Sequence, residues 1–215
     1  MVTKIKICGL TRMQDIEYAN KVLPDYIGFV FAESRRHIDI EAAAGLKAIL
    51  DSRIEAVGVF VNESIDVISD ICNRKIIDLV QLHGDESEEY ISTLHQRINN
   101  PIIKAIRVKD INSITEYQAK DINSANAVDQ LRCNFLLLDA YSEKEFGGTG
   151  KTFDWEIVKN LSKPFFLAGG IYAENARAAI EKAKPYCLDV SSGVETNGFK
   201  DKTKIKQLVS VVRGI

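Results

Sequence analysis

The chain has 215 residues, of which 46% are hydrophobic and 27% are charged, and this balance indicates a globular protein and excludes a disordered one. The net charge of −2 offers no basic surface for nucleic acid or for an anionic membrane. No apolar run has the length of a transmembrane helix, and the first residues predict a strand instead of a signal peptide.

From the N-terminus onwards, short apolar runs alternate with helical patterns. Most of these runs are continuously apolar, which is typical of parallel strands buried on both faces. Strands are predicted over residues 4–8, 26–31, 56–61, 76–82, 102–108 and 135–139, and in the apolar runs that begin at residues 164 and 187. Helices are predicted over 11–22, 40–51, 86–97, 154–161, 172–184 and 201–212, from a cap at Asn62 or Ser64 to residue 74, and as a helix plus loop over 111–131.

Eight strands, each followed by a helix, predict the α/β class and a (β/α)₈ TIM barrel that forms a single domain over residues 1–215. The alternative is an open, doubly wound sheet. That fold would require a glycine-rich dinucleotide turn after the first strand, and the sequence Cys-Gly-Leu-Thr at residues 8–11 is not one. The polar stretch over residues 120–133 is expected to be a loose surface insertion.

In a barrel of this type, chemistry takes place at the C-terminal ends of the strands. Two residues there, Cys8 and Asp139, are the groups best able to exchange protons as a base and an acid. Two others, Arg36 and Arg107, suit an anionic substrate, and His83 is expected to form hydrogen bonds with the substrate. Nearby cations are expected to lower the pKa of the Cys8 thiol below its ordinary value of about 8.5.

Each of these side chains also has a structural interpretation. Cys8 could be a small buried hydrophobe, and Asp139 could cap the loop that follows it. Arg36 could be a solvated surface charge, and His83 a hydrogen-bonded core histidine. The other three cysteines are expected to be structural. Because no cysteine has the spacing of a metal site, reduced thiols in a cytoplasmic protein are expected.

The last two predicted strands both end in small residues. One ends in Ala168, Gly169 and Gly170, and the other in Ser191, Ser192 and Gly193. Paired strand ends of this kind expose backbone N–H groups, which attract an anion, and the last two strands of such barrels commonly hold phosphate. We therefore predict a phosphate site at Gly169, Gly170, Ser192 and Gly193. The alternative is two tight turns that merely require glycine.

A second glycine-rich segment, Gly-Thr-Gly-Lys-Thr at residues 148–152, resembles the end of a nucleotide-binding loop. Such a loop requires a glycine five residues before its final glycine, and Glu145 stands there instead. The loop over residues 147–150 is better interpreted as a mobile lid over the rim of the barrel.

Taken together and in order, the motifs resemble those of the phosphoribosylanthranilate isomerase family of tryptophan biosynthesis. They span nearly the whole chain, although each motif alone is weak. They are Lys-Ile-Cys-Gly-Leu-Thr at residues 6–11, Gly-Phe-Val-Phe at 28–31, Ser-Arg-Arg-His-Ile at 34–38, Val-Gly-Val-Phe at 57–60, Val-Gln-Leu-His-Gly at 80–84, Leu-Leu-Asp at 137–139, Gly-Gly-Thr-Gly at 147–150, Phe-Asp-Trp at 153–155, Leu-Ala-Gly-Gly at 167–170 and Asp-Val-Ser-Ser-Gly-Val-Glu at 189–195.

The resemblance implies a cofactor-free Amadori rearrangement of a phosphosugar-anthranilate substrate, with no metal. It assigns the base to Cys8, the acid to Asp139, the substrate carboxylate to Arg36 and the phosphate to the four small residues named above. A monomer or a homodimer is expected. The sequence departs little from the pattern of this family: Asn197 stands where a proline is expected, and the stretch over 120–133 is longer than usual.

Two other functions remain open at this point. One is another phosphosugar enzyme with a barrel fold, such as an epimerase or an indole-pathway synthase. An epimerase would require several metal-binding His and Asp residues at strand ends, where only His83 is available. The other is a protein that binds a phosphorylated ligand without catalysis.

Overall fold

Eight parallel strands form a closed barrel in the computed structural model, which describes residues 2–110, 112–114, 133–140, 155–158, 161 and 163–214. Each strand pairs with its neighbours in sequence, and the last pairs with the first. This ring confirms the predicted TIM barrel and excludes the open sheet. The strands are β1 Lys4–Cys8, β2 Tyr26–Val30, β3 Glu55–Phe60, β4 Leu79–Leu82, β5 Ile102–Val108, β6 Phe135–Ala140, β7 Phe165–Leu167 and β8 Cys187–Val190.

In the described part of the chain, helices connect most of the strands and pack against the outside of the barrel. Trp155–Val158, a 3₁₀ helix after β6, takes up part of the range in which a helix was predicted over residues 154–161. The α-helices are α1 Met13–Val22, α2 Ile40–Ala48, α3 Ile65–Asn73, α4 Glu88–His95, α5 Ala173–Ala183 and α6 Lys202–Arg213. A short hairpin of β9 Glu195–Thr196 and β10 Phe199–Lys200 precedes α6.

Several predictions concern residues outside the described part of the chain. The helix plus loop over 111–131 and the insertion over 120–133 lie almost entirely there. The glycine-rich segment over 148–152 and the predicted lid over 147–150 lie there completely.

Side-chain caps fix where several helices begin. Of the two caps predicted for α3, Ser64 is the one observed, since its Oγ accepts a hydrogen bond from the N–H of Val67 at 3.2 Å. Asn62 has a positive φ of 50° and accepts a hydrogen bond from the N–H of Asp85, so it joins two loops. Asp201 caps α6 by accepting from Thr203 and Lys204.

The fourth strand is shorter than predicted. It begins at Leu79, whereas the apolar run begins at residue 76. Ile76 and Ile77 are buried, but they pack in the core outside the ring and form no part of the strand. An apolar run reports burial, and burial alone does not distinguish a paired strand from a buried turn.

The barrel interior is filled by aromatic rings at its N-terminal end. The ring of Phe166 lies 5.5 Å from that of Tyr26, 5.6 Å from that of Phe135 and 5.8 Å from that of Tyr186, measured between centroids. At the same end of the barrel, Lys4 donates a hydrogen bond to the hydroxyl of Tyr26 at 3.0 Å. Within the described residues, this packing fills the barrel interior at its N-terminal end.

All four cysteines are free thiols and buried. Burial raises the pKa of Cys72 to about 12 and also raises the pKa of Cys133 and Cys187, which makes these three thiols unreactive. Among the residues that the structure describes, no helix combines the length and the apolar character needed to cross a membrane.

Replacing the central ring, Phe166→Ala, is expected to lower the free energy of unfolding by about 3–5 kcal/mol, because a large cavity opens in the barrel interior. Phe199→Ala is the matched control. Its side chain is exposed and lies against the guanidinium of Arg12, so the loss should stay below about 1 kcal/mol. Urea unfolding of both variants measures the difference, and equal losses would show that the aromatic cluster does not hold the barrel together.

Candidate active site

A cleft of about 540 Å³ lies at the C-terminal ends of the strands. That volume is in the range of small-molecule sites. The lining includes seven of the nine residues predicted from the sequence, namely Cys8, Arg36, His83, Asp139, Gly169, Gly170 and Ser192. Gly193 lines a neighbouring cavity together with Gly170 and Ser192. Arg107 lies beside Asp139 in the strand register and, within the described residues, outside the lining of either cavity.

Cys8 stands at the end of β1, facing the cleft. On β2 its partner in register is Gly28, and a Cβ at that glycine would lie 2.6 Å from the thiol sulfur, so the absence of a side chain makes room for the thiol. From the end of β8, Ser191 Oγ donates to the Cys8 carbonyl at 2.9 Å. These contacts fix the position of the thiol from both sides of its strand.

The thiol of Cys8 has a raised pKa, so the expectation that nearby cations lower it was wrong. Burial is the largest cause. Lys6, Lys200 and Arg36 favour the thiolate, but Asp189 opposes them and the cations do not outweigh the loss of water around the sulfur. Cys8 is therefore a thiol at neutral pH that becomes a strong base once ionised.

Asp139 stands at the end of β6 and is 6% exposed. His83 from the end of β4 approaches it, with 3.4 Å between Nε2 of the ring and Oδ2 of the carboxylate. Around the ring, β6 and β1 are three strands apart, so Asp139 and Cys8 face the cleft from different sides. A ligand in the cleft lies between an acidic side chain and a thiol.

Two residues of the cleft lining, Gln81 and Asp189, are bonded to a buried charged group that the sequence did not reveal. Lys6, which is fully buried on β1, donates to Asp189 Oδ2 at 2.8 Å and to Gln81 Oε1 at 2.5 Å. Burial alone would lower the pKa of Lys6, but Asp189 and Cys8 raise it above its ordinary value. Lys6 therefore carries its charge directly below the thiol.

A second buried carboxylate, Glu195, organises the cations at the rim. Arg36 donates to it twice, from Nε at 2.8 Å and from Nη2 at 3.0 Å, and Lys200 donates to it at 2.6 Å. Arg35 also reaches Glu195 at 3.1 Å, although its side chain is 59% exposed. Burial raises the pKa of Glu195, but Arg36 and Lys200 outweigh it and hold the pKa below the usual range.

The loops after β7 and β8 contact each other closely. Gly169 and Gly170 have positive φ angles of 85° and 63°, which favour glycine, as the alternative of tight turns requires. Gly193 is constrained by space instead, since a Cβ there would lie 1.9 Å from the carbonyl oxygen of Ile171. The two loops thus lie side by side at one end of the cleft, next to the start of α5.

Apolar side chains line the cleft near the ends of β2 and β3. Phe31 is stacked on Phe60 with 5.1 Å between ring centroids, and Val59 and Val61 continue the wall towards β4. A planar apolar group fits against such a wall. The cleft therefore combines an apolar side, a cation at Arg36 and small residues after β7 and β8.

Comparisons with known proteins agree on one family. Residues 5–211 match the model of the family described as N-(5′-phosphoribosyl)anthranilate (PRA) isomerase. A relative of that name from Endomicrobium trichonymphae is 49% identical over 212 residues, with 99% of each chain covered.

Solved structures agree with the sequence comparison. The phosphoribosyl anthranilate isomerase of Thermotoga maritima is similar, with a TM-score of 0.85 and 33% identity over 99% of this chain and 100% of that one. Another isomerase structure contains reduced 1-(o-carboxyphenylamino)-1-deoxyribulose 5-phosphate, and it has a TM-score of 0.82 and 31% identity, with 99% and 100% coverage.

A methyl group at Gly193 tests the contact between the two loops. Gly193→Ala is expected to lower the free energy of unfolding by about 1–3 kcal/mol, because one loop has to move away from the Ile171 carbonyl. Gly45→Ala is the control, since a Cβ there meets no atom within 4 Å, and alanine in helix α2 should stabilise by about 0.4–1 kcal/mol. Thermal unfolding of the two variants should shift in opposite directions, and a Gly193→Ala protein as stable as the native one would contradict the close contact.

Proposed function

The chain belongs to the N-(5′-phosphoribosyl)anthranilate isomerase family of tryptophan biosynthesis, and we propose that Cys8 is the base and Asp139 the acid of its reaction. The observation that carries this proposal is their placement: both side chains line one cleft, three strands apart around the barrel. Acid and base act on neighbouring atoms of the substrate, so they have to face it from different sides.

The reaction starts at the furanose ring of the substrate. Asp139 gives its proton to the ring oxygen, the bond from that oxygen to C1 breaks, and a Schiff base forms between C1 and the anthranilate nitrogen. The Cys8 thiolate then removes the proton on C2, which leaves an enolamine. Protonation at C1 and loss of the hydroxyl proton at C2 give the ketone, so no atom is lost and no external oxidant is needed.

Three further groups are proposed to hold the substrate. Arg36 binds the anthranilate carboxylate. A guanidinium has five N–H donors, and Glu195 accepts from one on Nε and one on Nη2, so further donors of Arg36 can face the substrate. The apolar wall at Phe31 receives the aromatic ring. Arg107, which lies beside Asp139 in the strand register, binds the remaining polar groups of the sugar, and His83 stands next to Asp139 at the same rim.

The phosphate is proposed to bind at Gly169, Gly170, Ser192 and Gly193. Backbone N–H groups and the start of α5 favour an anion there, and the two loops are in contact. The reduced 5-phosphate product named in the complex of a related isomerase has the three groups that this arrangement would bind: a carboxylate, an aromatic ring and a phosphate.

We also propose a cytoplasmic enzyme with a single domain over residues 1–215, active as a monomer or a homodimer. Four buried, reduced thiols support the cytoplasmic location, because disulfides are rare there. Nucleic acid is not proposed as a partner, since the net charge is −2. No cofactor or metal takes part in the proposed chemistry.

Two substitutions test the acid and the base. Asp139→Asn and Cys8→Ser are each expected to reduce turnover by about 10²–10⁴-fold, because an amide donates no comparable proton and a hydroxyl forms little anion. The fluorescence of the anthranilate group, followed as freshly made phosphoribosylanthranilate disappears, measures turnover. Cys72→Ala is the control and should keep its activity. Turnover within tenfold of the native value in either variant would remove that residue from the mechanism, and no turnover by the native chain would favour a binding protein.

The pH dependence follows from the raised pKa of Cys8. Since only the thiolate is a base, kcat/KM is expected to rise with pH, with a midpoint above the ordinary thiol value of about 8.5. Lys200→Met removes a nearby cation that favours the thiolate, so the midpoint should move to still higher pH. Lys206→Met, on the exposed side of α6, should leave it unchanged. A midpoint below 8.5 in the native enzyme would contradict the dominance of burial.

A further inference from the structure

A line of polar side chains begins at the buried Lys6, runs along the cleft through Gln81 and His83, and ends at Asp139. Lys6 donates to Gln81 Oε1 at 2.5 Å, Gln81 Nε2 lies 2.8 Å from His83 Nδ1, and His83 Nε2 lies 3.4 Å from Asp139 Oδ2. Lys6 and Gln81 are 0% and 1% exposed, and neither is used as an acid or base in the proposed reaction. Because buried polar side chains are costly, this line is expected to have a function in addition to packing.

The donors and acceptors that each group offers fix which atom donates in each contact of this line. An ammonium group has donors only, so the Gln81 oxygen has to face Lys6 and the amide nitrogen has to face His83. The amide nitrogen also has donors only, so His83 Nδ1 has to accept with its lone pair. A neutral imidazole then carries its hydrogen on Nε2, which is the atom next to Asp139.

A second contact of Lys6, with Asp189, holds this arrangement in place. The ammonium is paired with Asp189 at 2.8 Å, and the pair spans neighbouring positions of β1 and β8 in register. Lys6 therefore keeps its charge and continues to face the Gln81 oxygen. If the amide were turned over, two donor groups would face each other without water, which is strongly unfavourable.

We propose that Gln81, oriented by Lys6, is a positioning residue that fixes His83 as the Nε2–H tautomer, which donates a hydrogen bond to Asp139. This proposal rests on the proposed role of Asp139 as the acid. When Asp139 has given its proton to the substrate, the Nε2–H group stabilises the carboxylate that remains. The 3.4 Å contact is long, as contacts of catalytic groups often are before a ligand binds.

The same tautomer removes His83 as an alternative base. Its Nε2 carries a hydrogen, and its Nδ1 lone pair is engaged by the Gln81 amide. His83 therefore acts as a fixed donor, and Cys8 stays as the group in the cleft that is placed to take the C2 proton.

Nitrogen-15 NMR of the histidine rings tests the proposal directly, since the chain has three histidines. His37→Asn and His95→Asn variants assign the His83 signals without altering the site. At a pH where the rings are neutral, His83 in the native protein should be in the Nε2–H form alone, whereas free imidazole side chains exchange between both tautomers. Substantial hydrogen on Nδ1 of His83 in the native protein would overturn the proposal.

Gln81→Glu reverses the direction of the hydrogen bond to His83 Nδ1, because a carboxylate oxygen accepts a hydrogen where the amide nitrogen donated one. His83 should then carry hydrogen on Nδ1, and kcat should fall by about 10- to 100-fold, as expected for the loss of a hydrogen bond to a charged group, with a KM change of less than about threefold. Gln14→Glu, at an exposed position of α1, is the matched control and should retain native values. A reversed tautomer with native kcat would overturn the proposal.

If Gln81→Glu does not fold, Gln81→Met serves instead, because it removes the donor without adding charge. His83 in that variant should show both tautomers, with a lower kcat, and the native tautomer with native kcat would overturn the proposal. Failure of the proposed acid is recognised separately, by native turnover in Asp139→Asn. The NMR signature does not depend on turnover, so the two failures are distinguishable.

Discussion

The closure of the barrel between β8 and β1 is the constraint on which the site depends. The register sets Lys6 beside Asp189, and just above this pair Ser191 donates to the carbonyl of Cys8. A charge pair inside a barrel loses its hydration, so it is tolerated only when the two groups meet with good geometry. Removing one partner would leave a buried charge at a cost of about 3–5 kcal/mol. The pairing of β8 with β1 therefore both closes the barrel and sets the positions of Lys6, Asp189 and Cys8.

Burial and nearby cations change the pKa of the Cys8 thiol in opposite directions. Burial strengthens electrostatic contacts with a substrate, but it also disfavours the thiolate that the proposed reaction requires. Lys6, Lys200 and Arg36 reduce this cost without cancelling it, and Glu195 holds two of these three cations in place. A thiolate of high pKa is scarce but strongly basic, and such a group suits the removal of a proton from carbon.

The sequence was sufficient for the fold and for most of the rim. Continuous apolar runs located all eight strands, and the rule that barrel chemistry lies at C-terminal strand ends selected residues such as Cys8, His83 and Asp139 that do line one cleft. The start of β4 was misplaced, because Ile76 and Ile77 are buried without belonging to the strand.

Features that depend on pairs of distant residues were not predictable in this way. The alternation of Lys6 and Cys8 on one face of β1 was a visible signal for a buried lysine, but its partners Gln81 and Asp189 follow only from the strand register. The contact of Arg36 with Glu195 joins loops 159 positions apart. The pKa of Cys8 depends on the balance of burial and several charges, and a list of nearby cations gives the wrong sign.

The central claim is that Cys8 and Asp139 act on different bonds of one substrate. The most direct test is the kinetic isotope effect with substrate deuterated at C2, measured in Cys8→Ser and in Asp139→Asn. Cys8→Ser slows removal of the C2 proton, so a large primary effect is predicted. Asp139→Asn slows the earlier opening of the ring, so an effect close to unity is predicted. The reverse order, or equal effects in both variants, would contradict the account.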